Sequence, residues 1–190
     1  MDMFKLICVA TAVFGGLQFM LNFSKEMITY SSLITGHYKD ITLEDRISVM
    51  TSVGFAIGLL FMFIKAMTLI SKVLDGKTVS SKVEFPDTVK MLKRNFQNLM
   101  EHSAAFFFVY SFYMLNMVAT GDELKEAFAI GLSWVFFRIV YIFASFIGRD
   151  IDLKAIKMFG MVPSMAIIVY FCTLSLGYKQ SMQWVYHGVY

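Results

Sequence analysis

An all-α integral membrane protein with five membrane-spanning helices is the fold class that the sequence predicts, from three observations. Hydrophobic residues make up 57% of the 190-residue chain and charged residues only 16%, whereas soluble domains carry about 45–50% apolar and about 25% charged residues. The mean hydropathy is +0.63. Five segments offer the roughly 20 mainly apolar residues that a spanning helix needs: 4–23, 47–71, 103–119, 126–147 and 159–178.

The first of these segments favours a retained helix over a cleaved signal peptide. A signal peptide has a basic start and a small-residue cleavage site, but here only Asp2 and Lys5 are charged before a long apolar run. A polar connection, residues 24–46, follows. It ends in Thr42-Leu43-Glu44-Asp45, and this spacing predicts a capping box at the start of the next helix.

The third segment, 103–119, is short, but it continues backwards into the periodic stretch 89–102, so one long helix is predicted whose first half projects toward water. Orientation follows from lysine and arginine in the connections. Six of them lie in 72–94 and three in 148–158. We therefore expect both connections on the cytoplasmic side and the C-terminus on the opposite side, and the N-terminus in the cytoplasm if the first segment spans.

Charge and cysteine content exclude several classes of protein. The net charge of +3 is too small to indicate a nucleic-acid partner. Cys8 and Cys172 both lie in apolar runs, and their spacing matches neither a zinc site nor a disulfide framework. They are interpreted as packing residues, and no metal site is predicted.

Polar residues recur on one face of the long third helix. Arg94, Asn98 and Glu101 are spaced i, i+4, i+7, with Gln97 at i+3, and these offsets place side chains on the same side of a helix. The intervening apolar residues point elsewhere. A polar face on a helix that continues into an apolar segment needs an explanation.

Arg138 is the second unusual polar residue, because it lies inside the fourth apolar segment. It precedes Arg149 by 11 residues, which is about 16 Å of helix. An arginine at the centre of a spanning helix costs about 2.5–3.5 kcal/mol even on the lenient insertion scale. It therefore needs an internal partner, and Glu101 is the expected anion. Tyr141 and Ser145 continue the same polar face.

Two interpretations of this set are open. In the first, a buried Arg138–Glu101 pair only fixes the register of two helices, although a hydrophobic replacement often serves stability equally well. Alternatively, the set forms a ligand site, because Arg94, Asn98, Arg138 and Tyr141 offer more donors than one carboxylate satisfies. The ligand would be anionic and reached from the cytoplasmic side. A small zwitterionic peptide fits this pattern.

The pattern Arg94-x-x-x-Asn98-x-x-Glu101, followed in the next helix by Arg138-x-x-Tyr141, resembles the MAPEG superfamily, the membrane-associated proteins of eicosanoid and glutathione metabolism. The resemblance covers residues 47–178. It implies a four-helix membrane domain, residues 47–190, preceded by an additional N-terminal transmembrane helix and its connection, residues 1–46. It also implies a homotrimer that binds glutathione between neighbouring subunits near the cytoplasmic face.

The resemblance further implies which residues act. The glutathione-binding residues would be Lys77, Arg94, Asn98, Glu101, Arg138 and Tyr141. The chain departs from the family where Phe96 and Gln97 replace further arginines or a histidine, and where the arginine credited with stabilising the thiolate has no clear counterpart. Lys154 or Lys157 would replace it as a point charge without the forked geometry of arginine. The catalytic set is therefore Arg138, Tyr141 and Lys154.

The function implied is a glutathione-dependent transferase or peroxidase that acts on a lipophilic small molecule arriving from the bilayer. The alternative is a non-catalytic lipid-binding or scaffold member of the same superfamily. A transporter is less well supported, because the sequence lacks internal repeats and nearly lacks the glycine and proline breaks of transporter helices. The expected location is the endoplasmic reticulum membrane in a eukaryote, or the inner membrane in a bacterium.

Overall fold

The protein is described here by a computed structural model, which covers residues 41–74, 87–147 and 154–177 and six single residues at 11, 15, 16, 18, 19 and 22. Every regular element among these residues is a helix, which confirms the predicted all-α class. The four continuous helices are α1 (Leu43–Leu74), α2 (Asp87–Asn116), α3 (Gly121–Ile147) and α4 (Lys154–Ser175).

Two helices begin at side-chain caps. At α1 the Thr42 backbone N–H donates to Asp45 Oδ2 over 2.9 Å, and the Asp45 N–H donates to Thr42 Oγ1 over 3.2 Å. This reciprocal pair confirms the predicted capping box. At α3 the same arrangement joins Thr120 and Glu123 over 3.1 and 3.3 Å, so both helices start at defined residues.

Three helices of the described chain are long and apolar enough to cross a membrane, namely Leu43–Lys72, Gly121–Ser145 and Lys157–Ser175. Helix α2 has 30 residues, which is about 45 Å, and it confirms that 89–102 continues into the third apolar segment as one helix, although the helix ends at Asn116 and not at residue 119. Glu101, His102 and Asn116 make it less apolar than the other three. That α2 also spans the bilayer stays a prediction.

The four helices form a bundle in which α1 and α4 each pack against both α2 and α3. Aromatic rings fill its centre: Phe106 of α2 stacks on Trp134 of α3 with centroids 4.3 Å apart, and Phe171 of α4 meets Phe106 at 6.1 Å. The short link of residues 117–120 makes α2 and α3 antiparallel. The start of α2, the end of α3 and the start of α4 therefore share one end of the bundle.

Gly160 brings α4 into backbone contact with α3. A Cβ atom at this position would lie 2.7 Å from Tyr141 N and 2.8 Å from Phe137 O, distances that no real side chain adopts. Only glycine permits this approach. The contact holds the Arg138–Tyr141 turn of α3 directly against α4.

Single described residues of the N-terminal segment also lie against this part of the bundle. Residues 11, 15, 16, 18, 19 and 22 are helical. The Phe19 ring lies 5.9 Å from Phe136 and 5.9 Å from Phe159 between centroids, and Gly16 is in close contact with Phe159 and Pro163. The remainder of 1–40 lies outside the described residues, so a spanning N-terminal helix and the boundary at residue 46 stay predictions.

Candidate ligand site

Arg138 is the centre of the candidate site. Its side chain is 1% exposed, although it lies in the middle of a helix apolar enough to span a membrane. Nη1 donates to Asn98 Oδ1 over 3.3 Å, and Nη2 lies 4.0 Å from Met165 Sδ. Nε has no hydrogen-bond partner among the described residues. The buried cation is therefore held by neutral groups and keeps unused donor capacity.

Aromatic rings complete the surroundings of this guanidinium. Its Cζ atom lies 5.2 Å from the Trp134 ring centroid and 5.9 Å from that of Tyr141, and both distances fall within the range of cation–π attraction. Trp134 is buried, whereas Tyr141 and Asn98 are half-buried. A ligand that approaches Arg138 would therefore meet Asn98 and Tyr141 first.

The expected pair between Arg138 and Glu101 is not formed within the chain, so that expectation is wrong for the single subunit. Glu101 is exposed, and its Oε1 accepts a hydrogen bond from Gln97 Nε2 over 3.1 Å. An ion pair does form between Lys125 and Asp122, at 3.9 Å, but it lies on α3 and involves neither Arg138 nor Glu101. The reason is the rotation of α2 about its axis. Asn98 faces α3, whereas Glu101, three residues later, points away from the bundle.

Arg94 lies on the same outward side as Glu101, since it too is exposed. The predicted face of α2 is thus divided. Asn98 turns inward and reaches Arg138, while Arg94, Gln97 and Glu101 project outward. In one subunit the structure brings together Arg138, Asn98 and Tyr141 but leaves Arg94 and Glu101 apart from them.

The structure describes the remaining predicted residues only in part. Lys77 lies outside the described residues. Lys154 is the first residue of α4, with its side chain outside the described part, and Lys157 is half-buried one turn later. The Ser145 hydroxyl donates to the Tyr141 carbonyl over 3.0 Å. Its donor is therefore satisfied within α3.

Two residues beside the site were not predicted. Met165 of α4 provides the sulfur next to Arg138. Asn95 of α2 is 5% exposed, and its Nδ2 finds no hydrogen-bond partner among the described residues. A sequence signal for Asn95 exists, because it lies three residues after Leu92 and four before Leu99, and both leucines are fully buried. That spacing marks the core face of α2.

A comparison with known families identifies the chain. The sequence profile of the MAPEG family matches residues 47–177, a stretch that begins in the first turns of α1 and includes α2, α3 and α4 in full. The chain matches no curated protein and no solved structure. Since the profile covers more than half of the chain, this membrane protein belongs to the MAPEG family, whose members work in glutathione and eicosanoid metabolism.

Proposed function

We propose that the protein is a membrane-bound glutathione-dependent transferase or peroxidase that acts on a hydrophobic electrophile. The observation that carries the proposal is the burial of Arg138 beside neutral groups, with Nε unpartnered among the described residues. A buried cation is stable when an anion and further hydrogen bonds satisfy it. An anionic ligand would supply the negative charge and the hydrogen-bond acceptor that Arg138 does not find among the described residues of the subunit. Membership of the family makes glutathione the first candidate.

The proposed site lies between subunits of a homotrimer. Arg94 and Glu101 face outward from the bundle, and the same side of α2 continues with the exposed Phe108 and Phe112. A polar patch that continues into an aromatic surface is typical of a helix that meets another protein surface. A neighbouring subunit on this face would bring Arg94 and Glu101 toward a ligand held by Arg138.

Bound glutathione would supply a thiol, whose thiolate form is the nucleophile. A thiol of this type has a pKa of about 8.5 in water, so the site must favour the ionised form. Arg138 would do so as a cation surrounded by Trp134, Met165 and other apolar groups, where charge interactions are stronger than in water. The Tyr141 hydroxyl would donate a hydrogen bond to the sulfur, and Lys154 would add positive charge from the start of α4.

The polar groups of the peptide, as distinct from its sulfur, would be bound and oriented by Asn98, Arg94 and Glu101. Asn98 has an amide N–H₂ left for a ligand carboxylate while its oxygen accepts from Arg138. Arg94 would pair with a second carboxylate, and Glu101 with the ligand ammonium. Lys77, in the basic connection after α1, would be a further cationic contact.

Isothermal titration of the purified chain in detergent with glutathione tests the proposal. Arg94→Ala and Glu101→Ala change exposed side chains, so we expect intact folding and a loss of affinity of about 10- to 100-fold, as for hydrogen bonds to charged groups. Lys90→Ala, an exposed residue one turn before Arg94 on the same helix, is the matched control and should bind normally. Wild-type protein without a heat of binding would contradict the proposal.

A non-catalytic lipid-binding or scaffold role is the second candidate. It is favoured by the contacts that Arg138 already makes with Asn98 and Met165, and by lysine in place of arginine at the start of α4. Turnover with a chloro-nitrobenzene distinguishes the two roles. A transferase should show a glutathione-dependent rate that falls in Tyr141→Phe, whereas a scaffold should show no such rate.

A further inference from the structure

Helix α4 contains a proline one turn after the glycine that brings it against α3. Pro163 lies inside α4 and has no backbone N–H, so it cannot donate the helical hydrogen bond to the carbonyl of Phe159, four residues earlier. In a membrane, the backbone groups that a proline frees are tolerated where a neighbouring helix packs against them. The turn of α4 from residue 159 to 163 is therefore expected to depend on its neighbours.

Gly16 of the N-terminal segment packs against this turn. A Cβ atom at Gly16 would lie 3.2 Å from the Phe159 carbonyl oxygen, 3.2 Å from the Phe159 ring and 3.2 Å from Pro163 Cγ. A glycine at such a contact lets one helix backbone come close to another, so that Cα–H groups can approach a carbonyl oxygen. At the neighbouring Gly15, a Cβ atom would meet nothing within 4 Å. The close approach is therefore specific to Gly16.

Phe19 follows Gly16 by three residues, on the same side of a helix, and contacts both α4 and α3. Its ring centroid lies 5.9 Å from that of Phe159 on α4 and 6.2 Å from that of Phe137 on α3, distances at which aromatic rings attract. Phe137 is fully buried and directly precedes Arg138. The N-terminal segment thus contacts the helix that carries the arginine and the helix that packs on it.

The contact with Phe159 lies next to the closest approach of α4 to α3. Gly160 follows Phe159, and a Cβ atom at Gly160 would lie 2.7 Å from Tyr141 N and 2.8 Å from Phe137 O. The backbone at Tyr141 therefore packs on the residue beside the one that Gly16 contacts. Closely packed interiors transmit a displacement, because they contain few voids that could absorb it. A shift of Phe159 would therefore move the turn of α3 at Tyr141.

From these contacts we propose that Gly16 and Phe19 are positioning residues of the Arg138 site, which hold α4 against the Tyr141 turn of α3. This inference rests on the proposed function, because it concerns the geometry of the same catalytic groups. Neither residue lies in the stretch 47–177 that the family profile matches. The N-terminal segment therefore adds to the site a support that the family domain of this chain does not itself contain.

Positioning of this kind affects catalysis more than binding. The groups that would bind the peptide of glutathione lie mainly on α2, whereas Gly16 and Phe19 contact α3 and α4. Their loss should therefore lower kcat and leave the Kd of glutathione close to that of the wild type. A misplacement of about 1 Å can lower a rate about 100-fold. Displacement of Tyr141 should also raise the pKa of the bound thiol toward its value in water, because a hydrogen bond to the thiolate is lost.

Gly16→Leu and Gly15→Leu form a matched pair, since the same side chain is added at adjacent positions, one tightly packed and one open. The full chain in detergent is measured by glutathione titration, by kcat with a chloro-nitrobenzene and by the pH dependence of the thiolate absorbance of bound glutathione. For Gly16→Leu we expect a kcat about 10- to 100-fold lower, an unchanged Kd and a higher pKa of the bound thiol. Gly15→Leu should match the wild type in all three.

Two further variants keep the test decisive. Gly16→Ala adds the Cβ atom alone and should give the same changes to a smaller extent, which applies if Gly16→Leu does not fold. Phe19→Ala should also lower kcat without weakening glutathione binding. Phe19→Leu, which keeps an apolar side chain of similar size, should restore most of the rate.

A readout without glutathione distinguishes failure of this inference from failure of the proposed function. The chain has two tryptophans, so in a Trp184→Phe background the fluorescence reports Trp134, a fully buried ring 5.2 Å from Arg138 Cζ. Acrylamide should quench Trp134 more strongly in Gly16→Leu than in Gly15→Leu, because α4 moves away from the site. If Trp134 responds in this way but the wild type binds no glutathione, the proposed function is wrong, whereas the support of the Arg138 turn by Gly16 is confirmed.

Three results would overturn the inference while the proposed function stands. The first is a wild type that binds and turns over glutathione while Gly16→Leu has the kcat and thiol titration of Gly15→Leu. The second is equal quenching of Trp134 in these two variants. The third is a parallel loss of kcat, glutathione binding and thermal stability in Gly16→Leu and Gly16→Ala, because that pattern shows a role in folding alone.

Discussion

The variant Arg138→Met tests whether Arg138 binds a ligand or stabilises the fold. Removing the guanidinium recovers the insertion cost of about 2.5–3.5 kcal/mol for an arginine at the centre of a spanning helix. It loses the charged hydrogen bond to Asn98, at 3.3 Å, worth about 1.5–3 kcal/mol. It also loses cation–π attraction to Trp134, at 5.2 Å, worth about 0.5–2 kcal/mol. Methionine fills most of the vacated space.

The two sides nearly cancel, so we expect the variant without ligand to unfold within about 1 kcal/mol of the wild type. For a chain of this size that is a shift in Tm of about 2–4 °C. The assay is thermal unfolding in detergent, with and without glutathione. Millimolar glutathione should raise the Tm of the wild type but not that of Arg138→Met.

The opposite pattern would refute the reasoning. If Arg138→Met lowered the free energy of unfolding by more than about 3 kcal/mol, as the loss of one partner of a buried pair does, Arg138 would be a structural residue. If the variant kept full glutathione stabilisation, the guanidinium would not contact the ligand. Arg46→Met is the matched control: it removes another arginine, whose Nη1 donates to the Leu115 carbonyl over 3.0 Å, and should keep the glutathione response.

Three further predictions, one of them with a control variant, test the geometry of the bundle and of the site. Asn98→Asp places a carboxylate 3.3 Å from Arg138 Nη1; we expect a higher Tm without ligand and at least tenfold weaker glutathione binding in titration calorimetry, because the anion is then internal. Gly160→Ala puts a Cβ 2.7 Å from backbone nitrogen and should cost about 1–3 kcal/mol by overpacking, whereas Gly58→Ala, with open space around it in the middle of α1, should be more stable than the wild type by about 0.5–1 kcal/mol. Phe106→Ala removes a fully buried ring from the aromatic centre and should cost about 3–5 kcal/mol in thermal unfolding; a loss below 1 kcal/mol would contradict the packing described.

The sequence predicts those features that depend on local spacing. Thr42 and Asp45 determine the start of α1 through a cap that is visible as a four-residue pattern. The continuation of 89–102 into the third apolar segment follows from uninterrupted helical periodicity, and α2 has both parts in one helix, up to Asn116. That Arg138 needs an internal partner follows from its position among apolar neighbours, and it is 1% exposed.

The sequence does not predict which polar residue becomes that partner. Offsets of four and seven residues group Arg94, Asn98 and Glu101 within one side of α2, but that side is wide enough to have an inner and an outer edge. The orientation is determined by the buried residues of the same helix. Leu92 and Leu99 lie in the core, so Asn98, next to Leu99, turns toward α3, while Glu101 turns away. Contacts at the edge of a helix depend on how the neighbouring helices pack, and a local sequence pattern does not predict this packing.

The division between inward Arg138 and outward Glu101 leads to a test of where the site lies. If one ligand contacts Arg138 of one subunit and Glu101 of the next, then neither Arg138→Met nor Glu101→Ala alone binds glutathione with the wild-type affinity. A mixed trimer, however, contains a site in which both residues are intact. In a closed ring of three subunits, every mixed trimer has one such site among its three, so about one third of the sites in the mixed trimers are intact. Co-expression of the two variants, each with its own affinity tag, followed by titration of the doubly purified protein, should therefore recover part of the binding. No recovery would place both residues at a ligand within one subunit, and Glu101 would then have to rotate inward past Asn98 when the ligand binds.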